Sequence, residues 1–202
     1  MKLVFAAGFI LVSALACAQE PAGNDGLAAL RVTGVAANDV LNLRAEPDAA
    51  SAIAGMLAPD ETNIAVVGQA VGSLDWLMVE KGAARGWANA RYLAYDGGDA
   101  PVALPVRLFC AGTEPFWGLD LGYCVADAGL AFEDRRARLA LKAPSPARGR
   151  FQPWLLASAT PEDPGTFMLV EEAACSDGMS DQIHRFSVAA QIGGAFLSGC
   201  CR

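Results

Sequence analysis

One histidine, His184, stands in 202 residues. There is no Cys-x-x-Cys pair, no serine in a nucleophile-elbow setting, and no acidic run with the spacing of a calcium loop. These gaps remove the usual sequence signs of a zinc or dithiol site, a serine hydrolase and a calcium-loop protein, so no metal, cofactor or catalytic residue is expected. His184 lies in phase with Phe186 and Val188, which reads as a packed histidine rather than a base. Basic residues are also in short supply: the formal net charge is −7, and −8 without Lys2. A chain this acidic repels phosphate backbones, which argues against nucleic-acid binding. Long 3.6-residue periodicity is missing, and beyond the first twenty residues no apolar run approaches the ~20 residues of a membrane helix.

The beginning of the chain is distinctive. Met1 and Lys2 precede an apolar run from Leu3 to Ala16, followed by Ala16-Cys17-Ala18. That layout is a secretory signal peptide over residues 1–18, released before Gln19 into the periplasm or the exterior. The alternative is a lipoprotein anchored at Cys17, for which Ala14-Leu15-Ala16 is a poor lead-in. The remaining charge is uneven. Residues 20–100 hold 11 acids and 5 bases, whereas residues 101–202 hold 11 and 9, with Arg135, Arg136, Arg138, Lys142, Arg148 and Arg150 grouped. This basic group reads as a solvated strand face and loop before it reads as an anion site.

Between residues 29 and 95 short β-type runs alternate with Gly, Pro, Asn and Asp, which predicts a small antiparallel barrel. Leu41 and Leu43 fall on one face of their strand and Asn42 and Arg44 on the other, and Pro47 ends it. Trp76 to Trp87 reads as a hairpin turning at Gly82, and Asn89 to Leu93 as a short helical turn. The succession Asn42-Leu43-Arg44-x-x-Pro47, a strand through Gly55-Met56-Leu57, Trp76-Leu77-x-Val79 and Gly86-Trp87-Ala88-Asn89-x-x-Tyr92-Leu93 resembles a bacterial SH3 domain. The resemblance implies recognition of cell-wall peptides, glycans or other extended ligands through aromatic residues, here Trp76, Trp87 and Tyr92. Against that stands a plainer reading, in which both tryptophans fill the barrel core.

Residues 96–104 are rich in Gly and Pro and read as a linker. Residues 105–202 offer seven further strand-like runs, the clearest from Arg136 to Lys142, and predict a second antiparallel barrel or bent sheet. Gly112-Thr-Glu-Pro-Phe-Trp117, Cys175-Ser-Asp-Gly-Met-Ser-Asp181 and Ser198-Gly-Cys-Cys201 resemble a family of bacterial envelope proteins without an assigned reaction; a lipocalin-like barrel is expected by analogy. Export makes disulfides the natural state of the cysteines. Cys200 and Cys201 are too close to bridge each other and point to opposite faces of a strand. The expected pairs are Cys175 with Cys200 and Cys110 with Cys201, with Cys124 left over. Asp177 and Asp181 read as turn caps rather than metal ligands. Glu114 with Asp177 is the only carboxylate pair that invites a hydrolase reading.

The sequence thus predicts an all-β, non-catalytic envelope protein that binds a cell-wall peptide or glycan, or another envelope protein. A wall hydrolase with an SH3-type targeting module, and an inhibitor or assembly partner, are the alternatives.

Overall fold

A computed structural model of the chain describes residues 29–96, 103–131, 134–163 and 165–202. The signal-peptide segment, Cys17 and most of the 96–104 segment lie outside the described residues. What is described is all-β, in three antiparallel sheets, with the three-residue 3-10 turn Ala90–Tyr92 and no α-helix among these residues.

The first unit comprises β1 (Leu30–Val32), β2 (Leu41–Arg44), β3 (Ile53–Leu57), β4 (Ala65–Gln69), β5 (Trp76–Lys81), β6 (Ala84–Asn89) and β7 (Leu93–Tyr95). Strands β3-β2-β6-β5-β4 form one sheet and β1-β7 a second. A bridge from Leu30 to Ile64 ties the two together. The β5–β6 hairpin turns at Gly82, whose φ of +57° suits a residue without Cβ. After β6, Asn89 accepts a hydrogen bond from the Arg91 backbone N–H at 3.1 Å and caps the 3-10 turn Ala90–Tyr92.

Leu30, Leu43, Ile64, Leu77, Val79 and Leu93 are fully buried and make the core of this unit. The core reading of the two tryptophans is therefore corrected: Trp76 and Trp87 are only partly buried and stand on the outer face. Strand parity is the cause. Leu77 and Val79 take the inward positions of β5, leaving Trp76 and Met78 outside. On β6 the inward positions are Gly86 and Ala88. A Cβ on Gly86 would lie 2.9 Å from the Leu43 Cβ and 3.0 Å from the Arg44 carbonyl, so β2 and β6 approach too closely to admit an indole.

The second unit comprises β8 (Leu108–Thr113), β9 (Phe116–Gly122), β10 (Val125–Leu130), β11 (Arg135–Ala140), β12 (Ser145–Pro146), β13 (Trp154–Ala157), β14 (Phe167–Ser176), β15 (Ile183–Ile192) and β16 (Ala195–Cys201). Each strand pairs with the next in an antiparallel meander, except that β11 and β12 are not paired with each other, and β16 returns to β8. The sheet also closes on itself: Leu141 bridges Ser158, Lys142 donates its backbone N–H to Ala157, and Ala159 donates to Ala140. A barrel of this size has a lumen that side chains can fill. Trp117, Trp154, Leu119 and Met168 are among those that do.

Strand β10 was not foreseen from the sequence. Ala126, Ala128 and Gly129 give it little β character, and pairing on both sides holds it in the sheet. Strand β13 starts at Trp154, leaving Phe151 exposed before it.

Glycines of two sequence motifs make room for one indole. Trp117 donates Nε1–H to the Ser198 carbonyl at 3.3 Å. A Cβ on Gly112 would overlap that Nε1, and a Cβ on Gly199 would lie 2.8 Å from the Trp117 Cζ2 while overlapping the Ala111 carbonyl.

Both expected disulfides are present. Cys110–Cys201 joins paired residues of β8 and β16, and Cys175–Cys200 ties the β14–β15 hairpin to β16. That hairpin carries a bulge between Glu172 and Cys175, which bends its tip over β16. Cys124 departs from expectation: it too is disulfide-bonded, and no described cysteine is a free thiol. It occupies the β9–β10 turn with a φ of +56°. Two disulfides of this kind persist in an oxidising compartment.

The two units share one apolar cluster. Leu104 accepts a hydrogen bond from Tyr95 N–H at 2.8 Å, and Val106 donates to Leu93 at 3.2 Å. Tyr95 stacks on Tyr123 with ring centroids 5.9 Å apart. Arg107 is the polar counterpart. Its Nε lies 3.1 Å from Asp75 of the first unit, and its other nitrogens clasp the Asp120 carboxylate of the second.

Candidate functional site

The outward turn of the β5–β6 hairpin places its aromatic residues beside polar groups of β2. Trp76 faces Asn89 across the hairpin, Met78 faces Trp87, and Trp87 faces Arg44 on β2. Trp76, Tyr92, Asn42, Arg44, Asn89 and Arg91 line a groove of about 530 Å³. Arg91 stacks its guanidinium on the Tyr92 ring at 4.6 Å. Arg44 is held by its Nη1–H donating to the Ser51 carbonyl at 2.9 Å.

Of the three aromatic residues singled out from sequence, Trp76 and Tyr92 meet in this groove. Trp87 stands outside it on the same sheet face. Asn42, Arg44 and Arg91 were not singled out, although Asn42 and Arg44 have the outward parity of β2 that the alternation already implied. The arrangement supplies two flat apolar surfaces, two carboxamides and two guanidinium groups. It suits a ligand with apolar faces and regularly spaced hydrogen-bonding groups, such as a peptide or sugar chain.

Asp177 of the second unit caps a turn of its own loop. The Asp177 Oδ1 accepts from the backbone N–H of Met179 at 3.0 Å and of Ser180 at 2.9 Å, and the Ser180 hydroxyl bonds both carboxylate oxygens. The Met179 and Ser180 amides hold the carboxyl below its ordinary range, helped by the Ser180 hydroxyl and by His184, whose Nε2 lies 3.8 Å from Oδ2. Thr113 donates its hydroxyl to the Asp177 backbone carbonyl at 3.4 Å, so the chain beside Glu114 does touch this loop. The Asp177 carboxylate nevertheless turns back on its own loop. No group of three or more His, Cys, Asp or Glu residues is placed to hold a metal among the described residues.

The basic group from Arg135 to Arg150 divides. Arg135, Arg136 and Arg138 lie on β11, with Arg138 ion-paired to Asp127 at 3.5 Å, while Arg148 and Arg150 are exposed in the following loop. No helix among the described residues is long and apolar enough to cross a membrane. No protein-family model matches the chain and no curated protein matches it; the functional reading rests on geometry.

Proposed function

We propose that this chain is an exported, non-catalytic binding or scaffolding protein of the cell envelope, whose first barrel is a bacterial SH3-type module that takes an extended cell-wall peptide or glycan. The observation that carries the reading is the outward position of Trp76 beside Tyr92, in a groove edged by Asn42, Asn89, Arg44 and Arg91. A small barrel that builds its core from leucine and valine and leaves tryptophan half exposed has aromatic surface available to a ligand. The signal-peptide layout and the disulfides support export. A wall-hydrolase reading would use Glu114 and Asp177, and the commitment of the Asp177 carboxylate to its own loop weighs against it.

The test is co-sedimentation of the mature protein with purified peptidoglycan. Trp76→Ala and Tyr92→Ala should each weaken retention about tenfold, as loss of an aromatic anchor does, and Trp87→Ala less. Retention unchanged by both groove variants, or absent from the parent protein, defeats the reading.

A further inference from the structure

The outer face of β8 to β11 carries a feature unrelated to the aromatic groove. Cross-strand pairing sorts its outward residues into three rows. Phe109, Asp120, Asp127 and Arg138 form one row; Ala111, Gly118, Gly129 and Arg136 the next; Thr113 and Phe116 begin the third. The middle row is thus a trough with an alanine and two facing glycines as its floor, walled by phenylalanine on both sides and closed at one end by an arginine. A cavity of about 760 Å³ opens over it. Phe109 and Phe116 are large, exposed hydrophobics, at 41% and 60%. Packing within the sheet does not require the bare floor. A Cβ on Gly129 would meet nothing nearer than the Gly118 carbonyl at 3.8 Å, and one on Gly118 nothing nearer than the Phe109 ring at 3.8 Å.

Charge identifies what fits. Asp120 is clasped by Arg107 and Asp127 is paired with Arg138. Arg136 makes no ion pair among the described residues, although it stands on the same face opposite Gly129. The lining holds three arginines and three aspartates, Asp134 at the β10–β11 turn among them. Arg107 bonds both Asp120 and Asp75, and Arg202 stacks over the Phe109 ring at 5.2 Å. The arginines and aspartates of the lining balance in number, and Arg136, beside the glycine floor and without an ion pair among the described residues, is the cation placed to meet an anion. Four strands span about 14 Å, the length of about four extended residues.

We propose that this trough is a second binding site, which receives the free carboxylate end of a short extended peptide, the carboxylate on Arg136 and small or apolar side chains between Phe109 and Phe116. Arginine recognises a carboxylate through two parallel N–H donors. A glycine floor lets a ligand backbone lie flat, and Asp120 and Asp127 along one wall offer acceptors to its N–H groups. An acyl carboxylate shares the same head chemistry. The peptide fits better because the trough is shallow and open, and would leave an alkyl chain half in water.

Titration of the full mature protein with tri-alanine, followed by backbone amide NMR shifts, tests the assignment. The free acid should shift residues of β9, β10 and β11, and the C-terminal amide should bind about tenfold more weakly, the loss expected for one charge-assisted contact. Arg136→Gln should weaken the free acid by a similar factor, Arg136→Lys by less. Gly129→Leu should abolish binding while the circular dichroism of the fold is retained. Equal binding of acid and amide, indifference to Arg136→Gln, or no saturable binding at millimolar peptide would each overturn the proposal. Octanoate binding more tightly than the peptide would overturn it in favour of a lipid carboxylate.

Discussion

The four tryptophans divide evenly between the two barrels and behave in opposite ways. Trp117 and Trp154 of the second barrel are 5% and 1% exposed, whereas Trp76 and Trp87 of the first are half-buried on an outer face. The wider barrel has a lumen that aliphatic side chains alone do not fill, and two indoles occupy it. In the narrower one, leucine, isoleucine and valine fill the interior, and Gly86 marks a wall contact too close for anything larger. The consequence reaches the surface. Aromatic residues become the first barrel's candidate ligand surface, while the second is left with a glycine-floored trough and an arginine.

The largest effect should come from exchanging the two kinds of tryptophan for alanine. Trp154→Ala and Trp117→Ala remove buried indoles and should each destabilise the protein by about 3–5 kcal/mol. Trp76→Ala and Trp87→Ala, on a solvent face, should cost about 1 kcal/mol or less. Urea unfolding of the full chain, followed by circular dichroism, measures both pairs. A Trp87→Ala variant as damaged as Trp154→Ala would break the comparison and return Trp87 to the core.

How much of this was legible in the sequence depended on the range of the determinant. The Gly82 hairpin and the Asn89 turn are local, and both were readable from neighbouring residues. That Cys200 and Cys201 need separate partners was readable from their adjacency, but the choice of Cys175 and Cys110 for them is fixed only by the fold, which pairs β8 with β16 and brings the β14–β15 hairpin to β16. Parity told that Trp76 and Leu77 face opposite ways, but which of them faces inward depends on β2 and on Gly86, which are distant in sequence. Strand β10 was hidden because Val125-Ala-Asp-Ala-Gly-Leu130 has weak β propensity and is held by two neighbours. The junction of Asp75, Arg107 and Asp120 had no local signal at all, since three ordinary charged residues acquire meaning only when the barrels meet.

A smaller effect should confine itself to one barrel. Removing Cys175–Cys200 with paired serine substitutions opens a loop of sequence separation 25 and should cost on the order of 2–4 kcal/mol. The β14–β15 hairpin tip is held otherwise by contacts such as the Thr113 hydroxyl with the Asp177 carbonyl. Hydrogen exchange should therefore rise over residues 175–184 while the β5–β6 hairpin keeps its protection. Faster exchange in β5–β6 as well would mean that the disulfide supports both barrels, and the contrast between a braced and an unbraced unit would fail.

The smallest effect probes the junction that makes the comparison one within a single body. Burial pushes the Tyr95 phenol far above its ordinary range, with Tyr123 adding to the shift and the Cys124 backbone opposing it; burial also raises Tyr123. A folded-state pKa above the unfolded value means that the folded chain keeps phenolic protons that the unfolded chain has lost. The stabilisation is complete below about pH 10 and declines as pH rises past it. Urea midpoints measured from about pH 8 to about pH 11 should be level at first and then fall. Tyr95→Phe removes the group with the larger shift, so its curve should fall less steeply than that of the parent, with Tyr123→Phe between them. Parallel curves for all three proteins would show that alkaline loss of stability arises elsewhere, and that the stacked pair does not couple the barrels through its protonation.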